Sequence, residues 1–493
     1  MSFSLEKDQL SGDEFLLLKY LPLEFEDRYG SIPPRIYIRR CYKQLYDITA
    51  DNMSSRAMEW GVTLYTGVPG IGKSLFLIYF IYRFLHDDRF PDKRFVLEFQ
   101  DSFEEYLLFE PALLEANVFT CSRRAANSIR NKDFLVLCDI NKPTEPASRA
   151  KWLLIFSSPD PARYKEVMKN GPSFRYTLPT WSELELTSCD KRVQLWYDNF
   201  VRFGGVPRYV LPRSHAADQQ LLLLLESAVS QKGGLIIREF FKFGFNTIDL
   251  IQNYLLIHIN PPPPVSASYS DIDSDFQYDG IPNYSFASDH VFQLLVSKYD
   301  TMMLAIFTDV FNVGVATSAY GAVSAGHLFE KVCLWLKPLE SQQFTAAALL
   351  GRAGSEEFLV PSSRELLPHD WKRASRLRPN IHYLPRISNL ESGDSFYLTE
   401  TSVVGEYLLV VFQITVSAEH KVKANGLSEV VKAFQDSSSM CKITQKALVF
   451  VVPKHGSLST EQAIVTQKGK VMAKSSIPLY VRDFKQYVYR REI

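Results

Sequence analysis

The sequence predicts an α/β protein of two consecutive α/β domains, the first followed by a helical segment and a Pro/Asp-rich linker. Three observations carry this. Gly67-Val68-Pro69-Gly70-Ile71-Gly72-Lys73-Ser74 reads G-x-x-x-x-G-K-S and sits between a β-branched run (61–65) and a long apolar run (75–84). Strand and helix signals then alternate to about residue 210. Beyond four consecutive prolines (261–264) a second alternating series fills the C-terminal part, and the expected domains are 1–55, 56–210, 211–305 and 306–493.

Bulk properties narrow the function classes. The 493 residues are 46% hydrophobic, enough for more than one core. Net charge is zero, yet residues 321–493 hold 22 Lys/Arg against 16 Asp/Glu, leaving an acidic front. A basic rear suits a polyanion such as DNA, and ordinary surface variation accounts for it equally well. The six cysteines (41, 121, 138, 189, 333, 441) lack C-x-x-C spacing, which argues against a zinc knuckle and fits a reducing compartment. No apolar run reaches membrane-spanning length, so no membrane association is expected. The N-terminus lacks the basic-then-apolar order of a secretory signal.

Taken in order, residues 1–55 form an extension expected to pack on the first nucleotide strand, broken at Pro33-Pro34, with a helix over 36–46. The glycine loop then sits between strand and helix, as phosphate chemistry requires. Gly67, Gly70 and Gly72 let backbone N–H groups wrap a phosphate, aided by the helix N-terminus. Lys73 reaches the β- and γ-phosphates, and the Ser74 hydroxyl takes a place on Mg²⁺. The alternative is a chance glycine turn before a core helix. Further strands are expected at 94–99 and 105–109, then at 133–139, which delivers Asp139 to the same Mg²⁺ shell. Ile140 and Asn141 follow, where many ATPases carry a water-orienting glutamate; the nearest acid is Glu145. Binding is thus better supported than turnover.

The strand at 152–156 ends in Ser157 and Ser158, either of which is placed to sense a γ-phosphate; a plain Ser-Pro turn explains them as well. A helix over 191–200 leads to Gly204-Gly205-Val206-Pro207-Arg208, a tight turn that aims Arg208 at a bound phosphate. Helices over 221–230 and 236–259 form a lid over the nucleotide. The Ser/Asp stretch 266–280 reads as a solvated linker, since its Gly and Glu are misplaced for a calcium loop.

In the rear domain a Gly-rich entry leads to a helix bearing Glu330, and a variable basic segment (Lys372, Arg373, Arg376, Arg378, Arg386) follows. A strand then starts behind Asp394, and 406–416 is a strong strand with Gln413 and Thr415 on one face. A helix over 427–434 and strands at 447–452 and 477–481 complete the series. This is the element order of a restriction-endonuclease-like core, in which acids gather Mg²⁺ at a scissile phosphate beside a cation. Glu330 and Asp394 are the metal-binding acids here, Gln413 takes the third ligand position, and Lys421 or Lys423 replaces the lysine usual at Thr415. A plain α/β domain with incidental acids is the alternative.

With GVPGIGKS (67–74), FLVLCD (134–139), FSSP (156–159), GGVPRY (204–209), GHLFE (326–330) and FQITVSAEH (412–420) in this order, the chain resembles the Crinkler and retrotransposon-hot-spot proteins over about 30–493. Larger members of that group join a phosphate-loop ATPase to a restriction-endonuclease-like nuclease. The resemblance implies that Gly72, Lys73, Ser74 and Asp139 bind ATP and Mg²⁺. It also implies a nuclease site of Glu330, Asp394 and Gln413, with His420 and Lys421 beside it. Phe15–Tyr20 only loosely echoes the LFLAK-type translocation motif of the family, and the residues before the glycine loop are too few for the domain that carries it. The expected partners are nucleotide, DNA, host or nuclear proteins and a second copy of the chain. The expected place of action is the nucleus; the alternatives are the cytoplasm, or delivery into a host cell and then its nucleus. Two functions follow: an ATP-binding protein that couples nucleotide state to a Mg²⁺-dependent DNA endonuclease, or a nucleotide-switched binding module whose nuclease domain does not cut.

Overall fold

The computed structural model describes residues 2–8, 12–20, 33–55, 60–99, 105–112, 115–122, 135–139, 150–160, 163–169, 172–211, 214–242, 253–262, 278, 282–312, 329–330, 332–336, 339, 342, 343–349, 354–367, 377–385, 393–417, 419–437, 442–466 and 470–491. They form two compact units, one mainly from residues up to 295 and one mainly from 296–493.

In the first unit β1 (Ser2–Lys7), β2 (Glu14–Tyr20) and β3 (Arg35–Tyr37) make a three-stranded antiparallel sheet that leads into α1 (Arg40–Ser54). Then come β4 (Gly61–Thr66), α2 (Lys73–Leu85), β5 (Phe95–Phe99), β6 (Glu105–Ala112), β7 (Glu115–Ser122), β8 (Leu135–Asp139), β9 (Trp152–Phe156), α3 (Lys165–Met168) and β10 (Ser173–Thr177). The helices α4 (Glu183–Cys189), α5 (Val193–Phe203), α6 (Pro207–Val210) and α7 (His215–Lys242) follow, and then the hairpin β11 (Ile257–Asn260) and β12 (Asn283–Phe286), and α8 (Asp289–Asn312); residues 237–242 of α7 and 296–312 of α8 belong to the second unit.

Seven strands form one sheet in the order β10-β4-β9-β8-β5-β6-β7. The first five are parallel; β6 and β7 add an antiparallel edge. Every residue of β4 and β9 is buried, as parallel strands covered on both faces must be. Alternation sends Tyr65, Leu97, Leu137 and Phe156 into the core shared with α1 and α2. It sends Leu64, Val96, Val136, Cys138 and Ile155 to the opposite face, with Tyr164 and Val167. Aromatic contacts lock the first face: Tyr42–Phe76 at 5.0 Å, Tyr46–Phe80 at 4.9 Å and Tyr65–Phe156 at 4.8 Å between ring centroids. Each such pair adds about 0.5–1.5 kcal/mol beyond its area burial.

The second unit contains β13 (Gln343–Ala348), β14 (Ser355–Leu359), β15 (Arg364–Leu367), β16 (His382–Pro385), β17 (Ser395–Glu400), β18 (Glu406–Ile414), β19 (Val422–Lys423), α9 (Ala424–Ser437), β20 (Lys442–Pro453), β21 (Ile464–Val465), α10 (Leu479–Arg482) and β22 (Phe484–Arg491). Eight of the strands form a mixed sheet, β14-β13-β22-β20-β18-β17-β16-β15. β18, β20 and β22 run parallel, and α9 is the crossover between the first two. The apolar stripe Leu427, Val430, Val431 and Phe434 of α9 packs on Leu409, Val411, Leu448 and Phe450. Aromatic pairs join β13 to β14 and β22, with Phe344 5.6 Å from Phe358 and 4.3 Å from Tyr489.

Several expected elements change. The first helix starts at Arg40, because Ile36 pairs with Leu16 in the small sheet and its backbone is committed there. The helix expected at 191–200 runs Val193–Phe203. The expected helix at 236–259 stops, among described residues, at Lys242; Ile257-His258-Ile259 alternates and forms a hairpin strand instead. The strand expected at 477–481 is a helical turn after Pro478, and the pairing passes to Phe484–Arg491 beside β20. Glu145, most of 266–280, the Gly-rich entry at 321–328 and the basic positions 372, 373, 376 and 386 lie outside the described residues.

Candidate functional site

β4 ends in the glycine loop at the carboxyl edge of the parallel sheet, where open α/β sheets take their ligands. Gly67, Gly70 and Gly72 have φ of 144°, 88° and 105°, and Gly72 caps α2. The Ser74 hydroxyl donates to Asp139 Oδ2 at 2.8 Å, so the two residues expected to share a metal ion, 65 positions apart in sequence, meet. Their pair of oxygen donors suits Mg²⁺, which takes one or two protein oxygens and fills its remaining positions with water and phosphate.

Lys73 Nζ donates to the carbonyls of Gly67 (2.9 Å) and Val68 (3.2 Å). The residue as a whole is half-buried, but the loop encloses its ammonium. Burial therefore pulls its pKa down to about 7; Asp139 opposes this shift, and the charges of Arg208 and Arg163 add to it. Arg208 and Arg163 are thus near enough to act on Lys73, and Arg163 is itself paired with Asp160 at 3.2 Å. Arg208 lies over the glycines: a Cβ on Gly70 would stand 2.6 Å from Arg208 Cβ and 3.0 Å from its Nε. The turn before Arg208 is equally tight, since a Cβ on Gly205 would stand 2.0 Å from the Trp181 carbonyl oxygen.

Ser157 sits at the end of β9 with its N–H on the Tyr65 carbonyl at 3.1 Å. The hydroxyls of Ser157, Ser158 and Thr66 are buried without a hydrogen-bond partner. A hydroxyl buried without a partner costs about 1–3 kcal/mol, which a bound group or a water would relieve. Three contributors were missed in the sequence. Tyr42 donates to the Gly72 carbonyl at 2.9 Å, and Trp181 Nε1 donates to the Ile71 carbonyl at 2.9 Å. Arg39, 1% exposed, forks onto Glu185 (2.7 and 2.9 Å) and bonds the carbonyls of Pro179 and Thr180. The extension at 33–54 therefore braces the loop itself, not only the first strand. No local pattern around Tyr42 or Arg39 signals such a role.

In the second unit Asp394 precedes β17 and Gln413 lies near the end of β18. Gln413 Nε2 donates to Asp394 Oδ2 at 3.0 Å, and the Ile414 N–H donates to the same oxygen. Gln413 shares the sheet face of Leu409 and Val411, the face α9 covers, and its Oε1 is buried and unpartnered. Burial pushes the Cys333 thiol up to about 12; nearby Arg491 opposes this, and the charges of Asp394 and Glu330 add to it. Glu330 and Asp394 thus share a neighbourhood, and Arg491, 4% exposed, is a cation there that the sequence did not single out. The other two expected residues lie between β18 and β19. Lys421 is exposed and makes no ion pair among the described residues. His420 packs its ring on Phe450 at 6.3 Å, and burial lowers its pKa. Lys423, beside them, is buried in β19 just before α9. Among the described residues no group of three or more His, Cys, Asp or Glu side chains forms a metal cluster.

The chain is 24% identical over 236 residues to Crinkler effector protein 15 of Phytophthora infestans, covering 46% of this chain and 37% of that protein. It is 25% identical over 238 residues to Crinkler effector protein 16 of the same organism, covering 47% and 37%. The chain is thus distantly similar to Crinkler effectors, and each match spans little more than a third of the relative's length. No family profile and no solved structure matches it. Among the described residues no helix is long and apolar enough to cross a membrane.

Proposed function

We propose that the first unit is a phosphate-loop domain that binds and hydrolyses ATP with Mg²⁺, and that the second is a restriction-endonuclease-like domain whose action on DNA follows the nucleotide state. One observation carries the proposal above the others: Ser74 and Asp139 meet at 2.8 Å beside an enclosed Lys73 at the carboxyl edge of a parallel sheet. A glycine loop at a helix N-terminus, with Lys73 enclosed by it and Arg208 over Gly70, favours a polyphosphate. Ser74 and Asp139 would hold Mg²⁺, which would neutralise phosphate charge during the reaction. Lys73 leaves the loop carbonyls for the phosphate oxygens, and Arg208 adds charge to the leaving side. In the second unit Glu330 and Asp394 would hold Mg²⁺ at a scissile phosphate, with Arg491 as the nearby cation. The similarity to Crinkler effectors supports an effector role, acting in a nucleus after delivery into a host cell.

A specific observation also favours the non-cutting alternative. Gln413 and the Ile414 N–H both occupy one oxygen of Asp394, and Thr415 stands where a lysine would help activate water. The unit would then bind nucleic acid or protein without cleavage. A plasmid assay with Mg²⁺, with and without ATP, separates the two. Cleavage lost in Asp394→Ala and weakened in Lys73→Ala supports the coupled nuclease. DNA retention without cleavage selects the switch, and cleavage that survives both substitutions rejects the site.

A further inference from the structure

The sequence places no acid beside Asp139, since Ile140 and Asn141 follow it. Water attacking a γ-phosphate needs a carboxylate or equivalent acceptor to orient it. The neighbouring strand supplies one. β5 pairs in parallel with β8, setting Glu98 opposite Cys138 and Phe99 opposite Asp139. Glu98 is 2% exposed, one residue from the carboxyl end of its strand, and the Cys138 thiol donates to Glu98 Oε2 at 3.1 Å. Taking a carboxylate out of water costs several kcal/mol, which marks this one as unusual on an otherwise apolar strand.

The alternation places Glu98 with Val96 on the same sheet face as Cys138, Leu64 and Ile155. Thr66 and Ser157 extend that face at the ends of β4 and β9, and their hydroxyls are the buried, unpartnered ones. One sheet face therefore carries two open hydroxyls at the ends of β4 and β9, beside the loop that would hold the phosphates, and a carboxylate on β5, the neighbour of the strand that ends in Asp139. We infer that Glu98 is the water-orienting carboxylate of the ATPase site. In the step it serves, the water oxygen bonds to the γ-phosphorus and the bridging bond to the β-phosphate oxygen breaks. The electron pair leaves on ADP. Glu98 takes the water proton and passes it to the released phosphate.

This inference rests on the proposed nucleotide site, and the test separates the two. The full chain and its Glu98→Gln, Glu98→Asp and Lys73→Ala variants are assayed for binding of a fluorescent ATP analogue and for Mg²⁺-dependent phosphate release. The expected result is that Glu98→Gln binds within about twofold of wild type and releases phosphate at least a hundredfold more slowly, the usual scale for a lost base. Glu98→Asp, which only draws the carboxylate back, keeps binding and loses part of the rate; it decides the matter if the glutamine variant does not fold. Wild-type turnover in a glutamate variant overturns the role of Glu98 alone. So does a wild-type chain that binds but releases no phosphate. A wild-type chain that does not bind the analogue overturns the nucleotide site, and Glu98 falls with it.

Discussion

Lys73 shows how one side chain couples packing to ligand affinity. Enclosed by the loop, its amine titrates near 7 instead of in the ordinary lysine range. A bound polyphosphate restores the charge, so binding takes up a proton. The sign follows: affinity for ATP is highest near or below pH 7 and falls as pH rises, by up to about tenfold per unit. Isothermal titration between pH 7 and 9 in two buffers of different ionisation enthalpy measures both slope and proton uptake, and Lys73→Met flattens the slope. His258 gives a second titration. Burial holds its pKa down to about 3 and its Nε2 has no partner, so the folded state refuses a proton that the unfolded chain accepts below 6.5. Its contribution is complete above about pH 6.5 and is lost at about 1.4 kcal/mol per unit down to about pH 3. Chemical denaturation across that range checks the slope, which His258→Asn reduces.

Among the elements, the turn at Gly204-Gly205 positions Arg208 without touching any ligand. Gly205→Ala forces a methyl to within 2.0 Å of the Trp181 carbonyl and disturbs the Trp181 N–H bond to Gly205 at 2.8 Å. A cost of about 1–3 kcal/mol follows from such overpacking. Because Trp181 also bonds the Ile71 carbonyl, nucleotide binding weakens together with thermal stability. Circular dichroism melts paired with analogue titration detect both. Local patterns foretold this element, the strands β4, β8 and β9, and α2, because strongly apolar runs with glycine punctuation have few competing structures. They failed where a tertiary partner decides: Ile36 went to a sheet and not a helix, Ile257–Ile259 to a hairpin, and β7 was missed because its run of mixed polarity pairs only with β6.

At the scale of the whole molecule, Ser74 meets Asp139 because the first turn of α2 faces the end of β8, and Gln413 meets Asp394 because the start of β17 pairs beside the end of β18. Lys421 is exposed, and His420 packs its ring on Phe450, the ladder partner of Gln413. Arg39, Tyr42, Glu98 and Arg491 were illegible because their partners lie 30 to 158 residues away and no spacing announces them. In the second unit, Asp394→Asn leaves Gln413 and the Ile414 N–H with a weaker acceptor and removes a metal-binding charge. Any Mg²⁺-dependent DNA cleavage should fall at least a hundredfold while DNA retention persists, as parallel cleavage and gel-shift assays would show. The central claim is that the glycine loop binds MgATP, and calorimetric titration of ATP with Mg²⁺ into the wild-type chain and Lys73→Ala tests it most directly. Saturable one-to-one binding by wild type that Lys73→Ala loses is the predicted result. Equal affinity in both proteins, or no binding to the wild type, would contradict it.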